Sequence, residues 1–336
     1  MSNNIFDVAH LAGVSKSTVS RVINNCENIK PSTKAKVEAA MKELNYTPSY
    51  FAQSIRTRKA KTLALLVPEV SNLFYNELFN IIAEVAMQHG YLVLLCNVGQ
   101  TRERILSFIQ KLRQRNIDGI IYCVYQSSLL MDELIQISHQ FPMVFGDYPN
   151  PQRDDISCIA SDGLHDTAQI VKMFYDQGRK RIAFVGLGDI VTINYRYLGY
   201  SASLTACGYQ FDKGLVYQEY LSNYSGEHFH IGYRAAQALM NRDEKPDAIV
   251  CGTDMLAIAV NRYLLENGYR IPQDVAVTGY DNISISSMVF PSLSTMAQPI
   301  HEMGTAAADI LFKKIENNSY NKSLLLQSEF ISRDST

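Results

Sequence analysis

Residues 4–25 decide the fold of the N-terminal part of the chain, and they read Asn4-Ile5-Phe6-Asp7-Val8-Ala9-His10-Leu11-Ala12-Gly13-Val14-Ser15-Lys16-Ser17-Thr18-Val19-Ser20-Arg21-Val22-Ile23-Asn24-Asn25. Asn4, with Asp7 three residues later, predicts the capped start of a helix. Val8, Leu11 and Ala12 have the i, i+3, i+4 spacing of a buried helical face. Gly13 then predicts a sharp turn and Ser15 the cap of a second helix. The stretch is therefore predicted to form a helix-turn-helix.

The second helix is predicted to have one apolar and one polar face. Val19, Val22 and Ile23 face inward. The outward face has almost no acidic side chains, and its residues are Lys16, Ser17, Ser20, Arg21 and Asn24. Such side chains can donate hydrogen bonds to phosphates and base edges, and an α-helix fits the major groove of DNA. A helical hairpin with a solvated polar face is the alternative interpretation.

This segment resembles the N-terminal signature of the LacI/GalR family of bacterial transcriptional repressors. The matching residues are Asp7-Val8-Ala9, Ala12-Gly13-Val14-Ser15, Thr18-Val19-Ser20-Arg21-Val22, Asn24, Lys34-Ala35-Lys36-Val37, Ala40, Glu43-Leu44, Tyr46 and Pro48, and the rest of the chain follows the family pattern almost to Thr336. The resemblance implies that a pseudo-palindromic operator DNA is read by Lys16, Ser17 and Arg21. It also places Ser15, Thr18, Ser20, Asn24 and Tyr46 among the DNA-binding residues, mostly as phosphate contacts.

Residues 49–61 form a basic segment without a wide apolar face, which is also typical of a solvated linker. The resemblance implies instead a short hinge helix that orders on DNA, where Ile55 from each of two subunits would enter the minor groove. Isolated helices this short are marginal in water, so we expect the segment to depend on DNA and on a second subunit.

Composition limits the possible functions. The net charge is -2, but residues 1–61 hold ten Lys or Arg against four Asp or Glu, so the first part carries +6 and the rest -8. A basic head on an acidic body is expected when only the head contacts phosphate. There is no apolar run of about 20 residues and no signal peptide, which favours a cytoplasmic protein without membrane contact. The six cysteines have no C-x-x-C spacing, and His228-x-His230 is weak evidence for a metal, so we expect neither metal nor cofactor.

From Thr62 onward, short apolar strands alternate with helices, which indicates α/β architecture with doubly wound parallel sheets. The strands are too many for one sheet, so we expect two lobes. The resemblance implies a two-lobed, periplasmic-binding-protein-like core behind an all-α helix-turn-helix head. The predicted boundaries are 1–48 for the head, 49–61 for the hinge and 62–336 for the effector-binding and dimerisation core. Within the core, the N-lobe spans about 62–161 and 292–327, and the C-lobe spans about 162–291 with the C-terminal end.

Ligands of such folds collect at the carboxyl ends of strands. The resemblance implies an effector site with Arg196, in an R-x-x-G-[FY] motif, and Asp281, in a G-[FY]-D motif, as a polar clamp. The resemblance adds two candidates at strand ends, Asp254 and Asp162, and an aromatic pair that can line the cleft, Phe74 and Tyr75. The two aspartates could instead cap helices, and the two aromatic residues could belong to the core.

The sequence as a whole predicts a homodimeric DNA-binding regulator, a repressor of carbohydrate genes controlled by a sugar or sugar phosphate. A purine or other non-sugar effector is an alternative, and so is a sugar-binding protein or enzyme with the same two-lobed fold. Gly186-Leu187-Gly188 lacks the third glycine of a dinucleotide site, and no catalytic grouping is evident, which favours a non-enzymatic function. No leucine heptads follow the core, so a dimer is favoured over a tetramer. Phe290 stands where one family branch, which binds a phosphorylated carrier protein, has an arginine.

Overall fold

The computed structural model describes residues 4–23, 26, 29–46, 60–124, 128–147, 154–188, 195–219 and 227–336. The chain divides into two compact units, residues 1–60 and 61–336. The first unit, the head, consists in its described part of three helices, which are α1 (Ile5–Ala12), α2 (Lys16–Ile23) and α3 (Pro31–Glu43). These helices enclose a small apolar core of their own. The predicted helix-turn-helix is therefore confirmed.

The start and the end of α1 follow from local hydrogen bonds. The Asn4 side chain accepts from the Phe6 N–H at 2.8 Å, and the Asn4 N–H donates to the Asp7 carboxylate at 2.8 Å. Gly13 ends the helix with φ of 63°, a conformation that glycine adopts at little cost. The prediction that Leu11 is buried was wrong, because it is 44% exposed and the smaller Ala9 takes its place in the core.

The second unit, residues 61–336, is the predicted effector-binding core, and in it strands alternate with helices. In chain order they are β1 (Thr62–Val67), α4 (Leu73–Gln88), β2 (Leu92–Asn97), α5 (Arg102–Gln114), β3 (Gly119–Tyr122), α6 (Ser128–Ser138), β4 (Met143–Gly146), β5 (Cys158–Ser161), α7 (Gly163–Asp176), β6 (Ile182–Leu187), α8 (Tyr195–Ala206), β7 (Val216–Glu219), α9 (Glu227–Met240), β8 (Ala248–Cys251), α10 (Asp254–Glu266), β9 (Ala276–Asp281), β10 (Ser294–Ala297), α11 (Ile300–Glu316), β11 (Leu324–Leu326) and β12 (Glu329–Ile331). Two 3-10 helices cover Lys213–Leu215 and Ser284–Ser287. Among the helices described, none combines the length and apolarity needed to span a bilayer.

The strands form two six-stranded sheets, one in each lobe. The spatial orders are β11-β5-β4-β3-β1-β2 in the first lobe and β12-β10-β9-β8-β6-β7 in the second. All pairings are parallel except that of β10 with β12, which is antiparallel. The prediction of two lobes built on doubly wound sheets is confirmed. The two sheets share one strand order although the sequence shows no internal repeat.

The chain crosses between the lobes three times. The crossings follow β5, β10 and β11, which place them at residues 161–162, 298–299 and 327–328. The second crossing lies later than the boundary predicted near Pro291. The reason is that β10 pairs with β9 and β12, so residues 294–297 complete the sheet of the second lobe. Residues near all three crossings reach the cleft between the lobes.

Candidate nucleic-acid interface and ligand cleft

The second helix of the head begins with a side-chain cap. The Ser15 hydroxyl accepts from the Thr18 N–H at 3.2 Å and lies 2.8 Å from the Ser17 hydroxyl. This confirms the predicted cap. Because the cap satisfies a free N–H of the first turn, it fixes where α2 begins and hence which side chains point outward.

The outward face of α2 is polar and basic. Val19 and Val22 are buried, whereas Lys16, Ser17 and Arg21 are exposed. No acidic residue lies on this helix. Exposed donors on a helix without carboxylates suit phosphates and the acceptor edges of guanine. The geometry is that of a helix able to enter a major groove.

The remaining predicted DNA contacts fall into two groups. Thr18, Ser20 and Tyr46 are half-buried, and Tyr46 packs against the apolar core of the head. Asn24 and Ile55 lie outside the described residues, as does most of the predicted hinge helix, so their roles remain predictions.

In the core, Arg196 lies in the first turn of α8 at the cleft. Its Nη1 donates to the Gly252 carbonyl at 2.5 Å, and its Nη2 lies 3.7 Å from Asp147 Oδ1 and 3.8 Å from Asp281 Oδ1. The guanidinium carbon lies 3.7 Å from the centroid of the Tyr280 ring. Asp147 belongs to the first lobe and Asp281 to the second, so the arginine connects both lobes. We call Arg196, Asp147 and Asp281 the clamp.

The glycine of the R-x-x-G motif has a structural cause. A Cβ on Gly199 would lie 2.2 Å from the Leu164 carbonyl oxygen, so only glycine allows α8 to approach α7 this closely. Arg196 is three residues earlier and on the same side of the helix, where its Cγ lies 3.0 Å from an ideal Cβ position on Gly163. The motif therefore combines a close helix contact with an arginine held over the start of α7.

Asp281 ends β9 in a conformation that non-glycine residues rarely adopt, with φ of 116°. Such strain costs of order 1–3 kcal/mol and persists only where the surroundings impose it. Here the Gln298 amide donates to Asp281 Oδ1 at 2.7 Å, and the Ser161 hydroxyl donates to Gln298 Oε1 at 2.8 Å. Gln298 and Ser161 lie at two of the three crossings, so the clamp is connected to the hinge between the lobes.

The third crossing joins the same hydrogen-bond network through Tyr280 and Asp166. The Tyr280 hydroxyl donates to Asp166 Oδ2 at 2.5 Å and lies 2.9 Å from the Ser161 hydroxyl. The Ser328 hydroxyl also donates to Asp166 Oδ2, at 2.7 Å. Since Ser161 ends β5 of the first lobe, its contacts with Tyr280 and Gln298 join the two lobes beside Arg196 and Asp281.

Asp254 is placed differently from the clamp. Its side chain is fully buried and accepts from the Ile283 N–H at 2.9 Å, the Ser286 hydroxyl at 2.7 Å and the Thr295 hydroxyl at 2.5 Å. These three hydrogen bonds to the carboxylate hold the loop after β9 against β10. The neighbouring Thr253, rather than Asp254, caps α10. We therefore leave Asp254 out of the clamp.

Asp162 caps α7 by accepting from the His165 N–H at 3.1 Å, so it has the capping role that was the alternative to ligand contact.

Phe74 and Tyr75 are both buried, with ring centroids 5.4 Å apart in an edge-to-face contact. Burial, followed by the nearby Asp147 charge, raises the pKa of Tyr75 well above its ordinary value. Tyr75 thus lies within electrostatic reach of the clamp, and both aromatic side chains belong to the apolar core of the first lobe, which is the alternative predicted for them.

A buried contact between a histidine and a carboxylate also crosses between the lobes. His228 Nε2 lies 2.9 Å from Glu69 Oε1, and both residues are buried. Burial alone would raise the pKa of Glu69, but the hydrogen bond and charge of His228, with the Ser71 hydroxyl, hold it below its ordinary value. His228 is thus committed to a carboxylate, and the described residues contain no grouping of His, Cys, Asp and Glu suited to a metal.

Sequence reasoning missed four cleft residues, which are Glu69, Asp147, His228 and Gln298. Glu69 and Asp147 directly follow β1 and β4, so the rule that ligands meet the carboxyl ends of strands could have identified them. Gln298 follows β10, a strand that the polar sequence Ser294-Thr295-Met296-Ala297 did not reveal. His228 pairs with a residue 159 positions earlier, and no local pattern predicts such a contact.

Comparison with known proteins agrees with this geometry. Residues 4–49 match the model of "bacterial regulatory proteins, lacI family", and residues 171–336 match the "periplasmic binding protein-like domain". The ribose operon repressor of Escherichia coli K12 is 33% identical over 92% of each chain. The solved complex of the transcriptional regulator CelR with cellobiose has a TM-score of 0.71 and 26% identity, covering 99% of this chain and 100% of that one. The Lac repressor dimer bound to operator and the anti-inducer ONPF has a TM-score of 0.87 and 24% identity, covering 100% and 99%.

Proposed function

Because the chain belongs to the LacI family of bacterial regulatory proteins, we propose that it is a homodimeric repressor whose operator affinity is controlled by a small molecule in the cleft. The observation that carries the proposal is the clamp, since a half-buried guanidinium between two carboxylates from opposite lobes suits a polar ligand. Ligand binding there would change the relative orientation of the lobes and, through the hinge, the spacing of the two heads.

A sugar is the proposed effector class. Hydroxyl groups can accept from Arg196 and donate to Asp147 and Asp281, and the CelR complex contains a sugar, cellobiose. Carbohydrate uptake or use is accordingly the proposed target of regulation. Relatives of this chain include a repressor named PurR, of Vibrio atlanticus, so a purine effector is the second candidate.

Two measurements test the proposal. Selection of duplexes from a random DNA library with the full-length protein should yield a pseudo-palindromic operator, whereas sequence-independent binding would contradict the proposal.

A panel of monosaccharides, disaccharides, sugar phosphates and purines should then contain a compound that raises the thermal midpoint by mass action and releases that operator. No response to the entire panel would contradict control by a small molecule of these classes.

Arg21→Ala is expected to lower affinity for the selected operator by about 1–3 kcal/mol and to change affinity for a scrambled duplex much less. The reason is that the exposed guanidinium can bond two acceptors of one guanine, which a scrambled site does not present in register. Fluorescence anisotropy on both duplexes measures this. Lys34→Ala, which removes an exposed cation from α3, is the matched control. Equal losses on both duplexes for Arg21→Ala would exclude a base-reading role.

We propose that the second copy packs on the apolar face of the second lobe. A groove of about 650 Å³ lies there, with the polar residues Asn261, Arg262 and Glu266 in its lining and the remaining lining residues Phe229, Tyr233, Ile258, Leu265, Val289 and Phe290. Phe290 is 86% exposed, which is unusual for a large apolar side chain without a partner. Both side-chain polar atoms of the buried Asn261 lack a hydrogen-bond partner among the described residues. The other subunit can cover the groove and supply those bonds.

Phe290→Asp is expected to shift the protein from dimer to monomer in sedimentation velocity, because a carboxylate would be buried at the contact. Operator affinity should fall with it, since one head contacts only one half-site. Met87→Asp, at an exposed apolar residue near the end of α4, is the control and should remain dimeric. An unchanged dimer for Phe290→Asp would place the interface elsewhere.

A further inference from the structure

The clamp contains more acid than base. Arg196 is the one basic side chain of the described residues within 4.0 Å of Asp147 or Asp281. Its Nη1 bonds the Gly252 carbonyl, and its Nη2 lies within ionic reach of both carboxylates. Its flat face covers Tyr280. One positive charge therefore serves two carboxylates, and an anion would be a third negative group around it.

The surroundings of the clamp add further negative charge. Asp166 and Asp254 are buried and are held mainly by neutral hydroxyl and N–H donors. Arg333 acts electrostatically on Asp254, but its own donors bond the Leu293 carbonyl and the Asn282 side chain. Glu69 is hydrogen-bonded to His228 across the lobes. Among the residues that the structure describes around the clamp, two arginines thus act on four aspartates.

The pKa values of the aspartates agree with this excess of negative charge. Burial raises the pKa of Asp147, Asp166, Asp254 and Asp281, and Arg196 offsets this only in part for Asp147 and Asp281. Asp147 and Asp281 have one guanidinium between them. A bound anion would add a further negative charge beside them, whereas ligand hydroxyls would supply additional hydrogen-bond donors.

We infer that the effector of this chain is an uncharged, hydroxyl-rich molecule and that the cleft disfavours phosphate esters and other anions. Ligand hydroxyls donate to Asp147 and Asp281 and accept from Arg196, so each group of the clamp gains a partner of the right kind. A phosphate has only acceptors to offer to two carboxylates that need donors, and it would have to compete with both for Arg196. This inference rests on the proposed function, since it concerns the same cleft.

Matched pairs of ligands test the inference directly. Titration calorimetry with the full-length protein compares ribose with ribose 5-phosphate, glucose with glucose 6-phosphate and fructose with fructose 6-phosphate, and uses inorganic phosphate alone as a further probe. Each sugar that binds is expected to bind at least about tenfold more tightly than its own ester. An ester that binds more tightly than its parent sugar, a purine as the one ligand, or no binding at all would overturn the inference. Specific binding of the selected operator by the unliganded protein separates these outcomes from failure of the DNA-binding function.

Charge removal at the clamp gives an independent test. Asp281→Asn and Asp147→Asn nearly preserve shape but each remove one negative charge, so each should weaken the sugar and reduce its advantage over the ester by at least about threefold. Asp309→Asn, at an exposed carboxylate of α11, is the control and should keep the wild-type ratio. Retained operator binding shows that a variant is folded. An unchanged ratio in both clamp variants would mean that the carboxylates do not set the preference, and would overturn the inference.

Discussion

Arg196→Ala abolishes operator release by the effector and leaves operator binding by the unliganded protein within about threefold of wild type: this is the largest functional effect that we expect. The substitution removes the guanidinium that donates to the Gly252 carbonyl. The same group lies near Asp147 of the first lobe and Asp281 of the second. Hydrogen bonds to charged groups contribute about 1.5–3 kcal/mol each, so losing two corresponds to a hundredfold or greater loss of effector affinity.

The measurement is anisotropy of labelled operator titrated with the compound that releases the wild-type protein. Arg196→Lys keeps the charge but not the forked donors, so an intermediate response is expected. Arg270→Ala removes an exposed guanidinium paired with Asp274 and should respond like wild type. A normal response of Arg196→Ala would remove Arg196 from the effector site.

Asp254→Ala has the largest expected effect on stability. The carboxylate is fully buried and accepts from Ile283, Ser286 and Thr295, and all three donors would lose their partner. We expect the free energy of unfolding of the core to fall by about 3–5 kcal/mol. Urea denaturation followed by circular dichroism measures it.

The stability experiment also distinguishes bracing from ligand binding. Thr295→Val removes one of the three donors and should cost less than Asp254→Ala, while Asp309→Asn, at an exposed carboxylate of α11, should change stability little. If Asp254→Ala were nearly as stable as wild type but lost its effector response, Asp254 would be a ligand contact, as the sequence had suggested, rather than a brace.

Features of the chain that depend on neighbouring residues could be predicted from the sequence. The caps at Asn4 and Ser15 and the turn at Gly13 are local, and the structure contains all three. The alternation of strands and helices is also written in short apolar runs, so the two-lobed architecture followed from it. The prediction for Leu11 failed because helical spacing does not say which of two adjacent apolar residues faces the core.

The site depends on contacts between distant residues and was predicted only in part. Arg196 and Asp281 were found through their motifs, but Asp147 meets Arg196 from the other lobe and is 49 residues away. The role of Asp254 is decided by donors from residues 283–295, which no spacing around Asp254 reveals. The three crossings matter most here, because they bring Ser161, Gln298 and Ser328 into one hydrogen-bond network.

The order in which the ribosome makes this protein gives the late strands a further meaning. The head is complete after about 60 residues, but both sheets receive their outermost strands, β11 and β12, only when residues 324–331 have been added. During synthesis, the chain thus carries a complete head long before the sheet of either lobe has received its last strand. A nascent or truncated chain that ended before β11 would retain the surface that meets DNA while lacking an intact receptor to release it.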